Sequence, residues 1–379
     1  MIETTINLQE YRIYSCLECG RCTAVCPVSR THNFSPRKTL SRSISKGPES
    51  MAADKTVWMC LTCKGCENVC PSGIPYAALN RKVRSISKQL GNEMTCTHGG
   101  VFEQINTLMT RPGIKQDRLD WVTDDIKVST DKGDVLFYTG CSPYFAAYFG
   151  EGYDNHLLDS LRSTVKLMNK AGVEPQVLPN EICCGHDFLL RGEEDLFKQL
   201  ATRVSKQIKD SKAKTVVFTC PECLTTLRDD YPKAVGSLGV ELMHISQFLV
   251  ENKDKLKFKE NGIKATFQDP CRLGRYSGIY DQPREMLEEV PGFELSEMDH
   301  NKARAICCGN TAWVGCDAGT KKIQKMRLTE AVDTGSDTLL TSCPKCLIHL
   351  TCTQDGEKDS PIAGIKIKDT WEYLASCLE

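Results

Sequence analysis

The stretch EICCGHD, residues 181–187, returns as AICCGNT at 305–311. Each copy has one cysteine upstream and a C-x2-C pair downstream. Cys141 matches Cys271, Cys183–Cys184 match Cys307–Cys308, and Cys220 and Cys223 match Cys343 and Cys346. The offsets are 130, 124 and 123 residues, so 134–250 and 263–376 read as two copies of one module. Internal duplication of this kind predicts two similar sites facing each other across a pseudo-twofold.

The residues leading into these cysteines say what the module is built from. DVLFYTGC ends at Cys141, AKTVVFTCPEC at Cys220 and Cys223, IKATFQDPC at Cys271, and DTLLTSCPKC at Cys343 and Cys346. Such short β-branched runs suit buried parallel strands. Helical stripes lie between them. HLLDSLRSTVKLMNKAG sets Leu157, Leu158, Leu161, Val165 and Met168 on one face and offers Gly172 as a stop. EEDLFKQLATRVSKQIKD does the same with Leu196, Leu200, Val204 and Ile208. Both stripes read as core. Strands alternating with helices give an α/β fold with parallel sheets. Ligands collect beyond the carboxyl ends of such strands, where the cysteines sit.

The N-terminal part has a different texture. CLECGRCTAVCP supplies Cys16, Cys19, Cys22 and Cys26, and CLTCKGCENVCP supplies Cys60, Cys63, Cys66 and Cys70. Both are C-x2-C-x2-C-x3-C-P, the bacterial two-cluster ferredoxin run, in which the fourth cysteine reaches across to the other cluster. Three thiolates on one loop wrap three irons, and the proline-capped segment carries the fourth away. Cys16, Cys19, Cys22 and Cys70 are therefore assigned to one [4Fe–4S] cubane, and Cys60, Cys63, Cys66 and Cys26 to a second. Structural zinc is the competing reading, but it shows paired C-x2-C knuckles on a long spacer.

Residues 1–95 carry 13 Lys/Arg against 7 Asp/Glu, a formal +6. Two thiolate-bound clusters remove about four of those units. The remainder, Arg81, Lys82 and Arg84 among them, reads as a solvated or docking face, with no aromatic interleaving for nucleic acid. The expected organisation is a mainly α-helical two-cluster domain at 1–95, a connector at 96–133, and modules at 134–256 and 257–379.

Composition bounds the rest. The 379 residues allow real cores, and the net charge of −1 gives no general pull toward nucleic acid or anionic membrane. No apolar run reaches membrane-span length and no secretory leader is evident, so a cytoplasmic, reducing setting is expected, with any membrane association through a partner protein. Twenty-two cysteines at two- and three-residue gaps then read as metal ligands rather than disulfide staples.

Each module offers five cysteines where a cubane needs four. Adjacent cysteines strain two corners of one cubane but suit an opened cluster in which a thiolate bridges two irons. Spacing alone leaves that reading level with a plain cubane plus a spare thiol.

The repeated CCG module, with its leading cysteine and closing C-x2-C, resembles the cysteine-rich domain of heterodisulfide reductase catalytic subunits. The whole chain resembles the form in which a ferredoxin-like part is fused to the duplicated CCG part. The resemblance implies a noncubane [4Fe–4S] cluster on Cys141, Cys183, Cys184, Cys220 and Cys223, and another on Cys271, Cys307, Cys308, Cys343 and Cys346. It also implies the use of duplication: clusters pass single electrons, a disulfide needs two, and two facing sites supply one each. The activity it implies is reductive cleavage of a disulfide, such as the coenzyme M–coenzyme B heterodisulfide. Electrons would come from a flavoprotein, from a partner of hydrogenase or formate dehydrogenase type, or from a membrane cytochrome. An electron-transfer subunit with no small substrate of its own is the alternative. Completeness matters here, because relatives that oxidise glycerol 3-phosphate, glycolate or lactate commonly carry degenerate modules. Ligand-flanking His186, Arg272, Arg275, Lys345 and His349 are candidate cations for an anionic substrate or for offsetting cluster charge. Gly185 and Gly309 are expected to let backbone N–H groups approach the sulfurs. Cys96, Cys316, Cys352 and Cys377 read as ordinary thiols.

Overall fold

The computed structural model describes residues 6–94, 96–150 and 156–379. Its N-terminal part is helical, with short helices Arg21–Val25 and Gly65–Asn68 next to the cysteine loops and longer ones at Pro36–Lys46 and Tyr76–Gln89. Ser35 caps the first of these long helices by accepting from Lys38 N at 3.2 Å, and Pro36 at the first helical position is pre-set for it. Tyr76–Gln89 buries Leu79, Val83 and Ile86 on one face. A further helix, Val101–Thr110, leads toward the modules, and its Phe102 stacks on Trp313 of the second module at 4.3 Å between centroids.

Two parallel sheets follow. Strands β1 (Val135–Tyr138), β2 (Thr215–Phe218) and β3 (Glu241–His244) pair in that order, with Gln176 bridging to Leu136 at the free side of β1. Strands β4 (Lys264–Gln268), β5 (Glu294–Leu295), β6 (Thr338–Thr341) and β7 (Lys366–Asp369) form the second sheet in the order β5-β4-β6-β7. The same strand order arises twice because the same pattern of runs is read twice. The fold is thus a duplicated α/β domain behind a helical N-terminal region.

Strand alternation decides how the copies meet. Phe137 and Val217 point into a core shared with Phe267, Leu340 and Trp371 of the other module. Their neighbours Leu136, Tyr138, Val216 and Phe218 face the opposite way, onto helix Glu194–Ser211 through Leu200 and Val204. Period-two alternation therefore sends one face of the sheet to the sister module and the other to its own helix. Around this shared core the contacts are reciprocal. Helix Thr370–Ser376 of the second module packs on His156–Lys170 of the first, while Ile245–Glu251 of the first packs on Asp281–Glu288 of the second. That exchange is the signature of a pseudo-twofold. A third core joins Trp58 and Val83 of the N-terminal region to Leu339, Leu347 and Ile348, so that region is seated on the second module.

Candidate functional site

C-P-x-C places its cysteines at helix starts. Cys220 and Cys343 are N-caps, Pro221 and Pro344 take the first helical position, and Cys223 and Cys346 fall one turn in. The CCG steps end on Gly185 (φ 80°) and Gly309 (φ 87°), left-handed positions where a Cβ would also meet Phe197 at 3.0 Å or Gln324 at 2.8 Å. This turn aims backbone at sulfur. Gly185 N donates to Cys183 Sγ at 3.3 Å. The following residues, His186 and Asn310, donate from their amides to Cys184 and Cys308. In the second copy it is the amide after the glycine that makes this contact.

Every cysteine is a free thiol, and eighteen of them gather into four groups. Cys16, Cys19, Cys22 and Cys70 line one small cavity, with Cys66 also on its wall. Cys26, Cys60, Cys63 and Cys66 line the next. The exchange of fourth cysteines read from the sequence is thus the arrangement the chain adopts. Cys141, Cys183, Cys184, Cys220 and Cys223 line a third cavity, where Cys141 Sγ donates to Cys183 Sγ at 3.4 Å. In the second module the thiols themselves are bonded together: Cys307 to Cys271 and Cys308, and Cys346 to Cys308 and Cys343. Buried sulfurs packed this densely suit a soft cationic centre. Burial alone pushes the Cys60 thiol up to about 12, so ionising such a set without a metal is costly.

The cations proposed from the sequence are placed in unequal ways. Lys345 of the second module lines the cavity of the first, with its Nζ 2.6 Å from Asp187 and 2.7 Å from Glu222. His186 closes the same cluster: Nδ1 lies 2.7 Å from Thr226 Oγ1 and Nε2 lies 3.5 Å from Glu222. Arg272 and Arg275 turn instead to the N-terminal region. Arg272 donates to Thr62 Oγ1 at 2.8 Å and lies over the Tyr276 ring, and Arg275 donates to the Cys63 carbonyl at 2.6 Å. His349 is no cation at neutral pH, because burial holds it down to about 4. Asp187 and Glu222 escaped the sequence reading. Their signal was the contrast between C-P-E-C and C-P-K-C, opposite charges at matching positions of a repeat.

One contact connects the two halves of the chain. Cys63 of the N-terminal region accepts a hydrogen bond from Cys307 of the second module. That bond, with the Arg275 guanidinium, pulls the Cys63 thiol down to about 5. Among the leftover cysteines, Cys377 is buried and bonded to the Tyr373 carbonyl at 3.2 Å, and Cys352 accepts from Lys321 Nζ at 3.1 Å.

Comparison with known proteins fits this geometry. The cysteine-rich domain family (CCG) matches residues 135–228 and 265–351, and the 4Fe-4S dicluster domain family matches 12–74. Together these define a class, iron–sulfur proteins that join a dicluster domain to a duplicated cysteine-rich domain. The chain is 34% identical over 276 residues to the iron–sulfur component of the dihydromethanophenazine:CoB–CoM heterodisulfide reductase of Methanosarcina acetivorans, covering 70% of this chain and 63% of that protein. It is 26% identical over 375 residues to one component of the CoM/CoB fumarate reductase of Methanothermobacter marburgensis, covering 96% of this chain and 61% of that one. It is also 29% identical over 260 residues to the EtfAB:quinone oxidoreductase of Syntrophomonas wolfei, 65% of this chain and 34% of that. The chain belongs to the heterodisulfide reductase catalytic-subunit family, as an iron–sulfur redox protein related to the Methanosarcina reductase component. It spans less than two thirds of the length of each of these relatives. Among the described residues, no helix is long and apolar enough to cross a membrane.

Proposed function

We propose that this chain is an oxidoreductase subunit that cleaves a small disulfide to two thiols. Two cubanes on the N-terminal cysteines would take electrons from a partner. Two noncubane clusters, one per five-cysteine set, would supply them to the substrate singly. The balance is RS–SR′ + 2e⁻ + 2H⁺ → RSH + R′SH, so each module accounts for one electron and one sulfur. The observation that carries this reading is the completeness of both five-cysteine sets, one of them closed by Pro344 and Lys345 of the sister module.

The chain's own residues have definite parts in this scheme. The amides of Gly185, His186 and Asn310 hold sulfur charge by hydrogen bonding, which tunes cluster potential. Lys345 offers a fixed positive charge beside the first set, suited to a developing thiolate. The Cys63–Cys307 contact makes the second module the entry point for electrons leaving the N-terminal region. The heterodisulfide of coenzymes M and B, named for the Methanosarcina relative, is the first substrate to try.

A second reading has its own support. The cavity at the first set is only about 20 Å³ and is closed by charged side chains, and one relative is named as an EtfAB:quinone oxidoreductase. In that reading the chain relays electrons between a flavoprotein and another acceptor. Anaerobic turnover by the cluster-loaded chain with reduced viologen separates the two. The proposal predicts two thiols released per disulfide consumed. Clusters that reduce fully while no thiol appears from any disulfide tried would leave the relay.

A further inference from the structure

A cavity of about 210 Å³ lies where the N-terminal region meets the second module, away from the boundary between the two modules. Its ionisable lining, among the described residues, is Arg30, Arg275, Arg304 and His300 together with the two thiols below, and no Asp or Glu stands on its wall. The remainder is largely apolar, including Val25, Val69 and Ile306, with the Asn68 amide beside them. Cys63 and Cys307, the hydrogen-bonded pair that joins the two halves of the chain, form part of the same wall.

The arginines differ in how they are held. Arg275 is anchored by three carbonyls: Nε donates to Cys63 at 2.6 Å, and Nη1 donates to Ala303 at 3.2 Å and Ala305 at 2.7 Å. None of these partners is a carboxylate. The exposed Arg304 makes a single bond, to the Asp299 carbonyl at 3.1 Å. The side chain of Arg30, also exposed, has no hydrogen-bond or ion-pair partner among the described residues. His300 is paired with Glu330, which stands outside the cavity. Guanidinium groups that converge on a partly apolar hollow without a carboxylate are poised for an external oxyanion. A planar fork binds such a group in bidentate fashion, and the apolar wall strengthens the interaction.

We propose that this cavity binds a small organic acid, with a carboxylate, sulfonate or phosphate head on a short apolar stem. The head would lie between Arg30 and Arg304, and the stem along Val25, Val69 and Ile306. A ligand there would join the two halves of the chain and put negative charge beside Cys63 and Cys307. The inference does not depend on the disulfide reading, because it needs only the cavity and its arginines.

The test uses the full-length, cluster-loaded chain under anaerobic conditions at low salt. Isothermal titration is run with butyrate, propanesulfonate and inorganic phosphate as probes. One saturable site per chain is expected, tighter for the two organic acids than for phosphate because of the stem. Arg30→Gln with Arg304→Gln should weaken binding at least tenfold while iron content stays unchanged. If that double variant loses iron, Arg30→Lys with Arg304→Lys, which keeps charge but loses the fork, should weaken binding severalfold. Binding should also shift the paramagnetic signals of the reduced clusters. Phosphate binding as tightly as the organic acids would overturn the assignment of the stem and hence the ligand class. Absence of a saturable site for all three probes, or affinity unaltered in the variants, would overturn the site itself: the arginines would then serve only to offset cluster charge.

Discussion

The two modules hold sulfur alike and charge differently. Each brings five cysteines to the carboxyl ends of parallel strands through the same C…CCG…C-P-x-C frame. Where the frame leaves positions open, the copies diverge in complementary ways. Glu222 in the first and Lys345 in the second occupy the same place in C-P-x-C and bond to each other at 2.7 Å. CCG is followed by His186–Asp187 in one copy and Asn310–Thr311 in the other, so the acids sit on one side and the cation comes from the other. Glu181 before the first CCG accepts from Thr139 N at 3.0 Å and Gly140 N at 2.7 Å, bracing the turn that leads to Cys141. Its counterpart, Ala305, has no carboxylate, and there Arg275 ties the backbone instead. Duplication supplied two like sites, and divergence converted their boundary into a heterologous ion-pair cluster.

The largest test of that comparison removes the shared cation. Lys345→Met leaves Asp187 and Glu222 buried without their partner, which is expected to cost about 3–5 kcal/mol of stability in denaturant unfolding. Adding Glu222→Gln should recover part of that loss, because the two sites are coupled. Additive losses would mean the pair does not span the boundary in solution.

A second contrast lies at the helix caps following the last strand of each sheet. His244 and Asp369 occupy equivalent places, and both are buried caps. Burial holds His244 down to about 3 and pushes Asp369 up to about 7. The signs are opposite. The His244 contribution is present above its unfolded value of about 6.5 and is lost as pH falls toward 3. The Asp369 contribution is present below about 4 and is lost as pH rises through 7. Each is worth up to about 4 kcal/mol, so between about pH 4 and 6.5 the two slopes should largely cancel. His244→Asn should leave a stability that falls from about pH 4 to 7, whereas Asp369→Asn should leave one that rises over the same span. Unfolding midpoints across that range check both, and parallel profiles would contradict the assignment.

The smallest expected effect concerns the CCG turns. Gly185→Ala and Gly309→Ala each force a left-handed alanine, costing about 1–2 kcal/mol before any clash. Gly309→Ala should be the worse, since its Cβ would meet Gln324 at 2.8 Å rather than a ring edge at 3.0 Å. Thermal unfolding of the pair ranks them.

Strands, parallel pairing and the grouping of cysteines were legible because they follow from local signals: β-branched runs, helical stripes and cysteine spacing. The duplication read from EICCGHD and AICCGNT predicted the pseudo-twofold that the reciprocal helix packing displays. Relations across boundaries were less legible. Arg272 and Arg275 look, in sequence, like cations flanking a cleft between the modules. They face Thr62 and Cys63 because the N-terminal region is seated on the second module. Asp187 and Glu222 gain meaning only when Lys345 arrives from 123 residues downstream of Glu222, and nothing local announces that meeting. His349 follows a helical repeat from Cys346 that buries it, which removes its charge.

The central claim is that all four cysteine groups hold clusters, two in the N-terminal region and one in each module. Iron and acid-labile sulfide counted per chain, after anaerobic loading of the full-length protein, test it most directly. The account predicts about 16 irons, four for each group. About eight, with the ten module cysteines still titrating as free thiols, would contradict it.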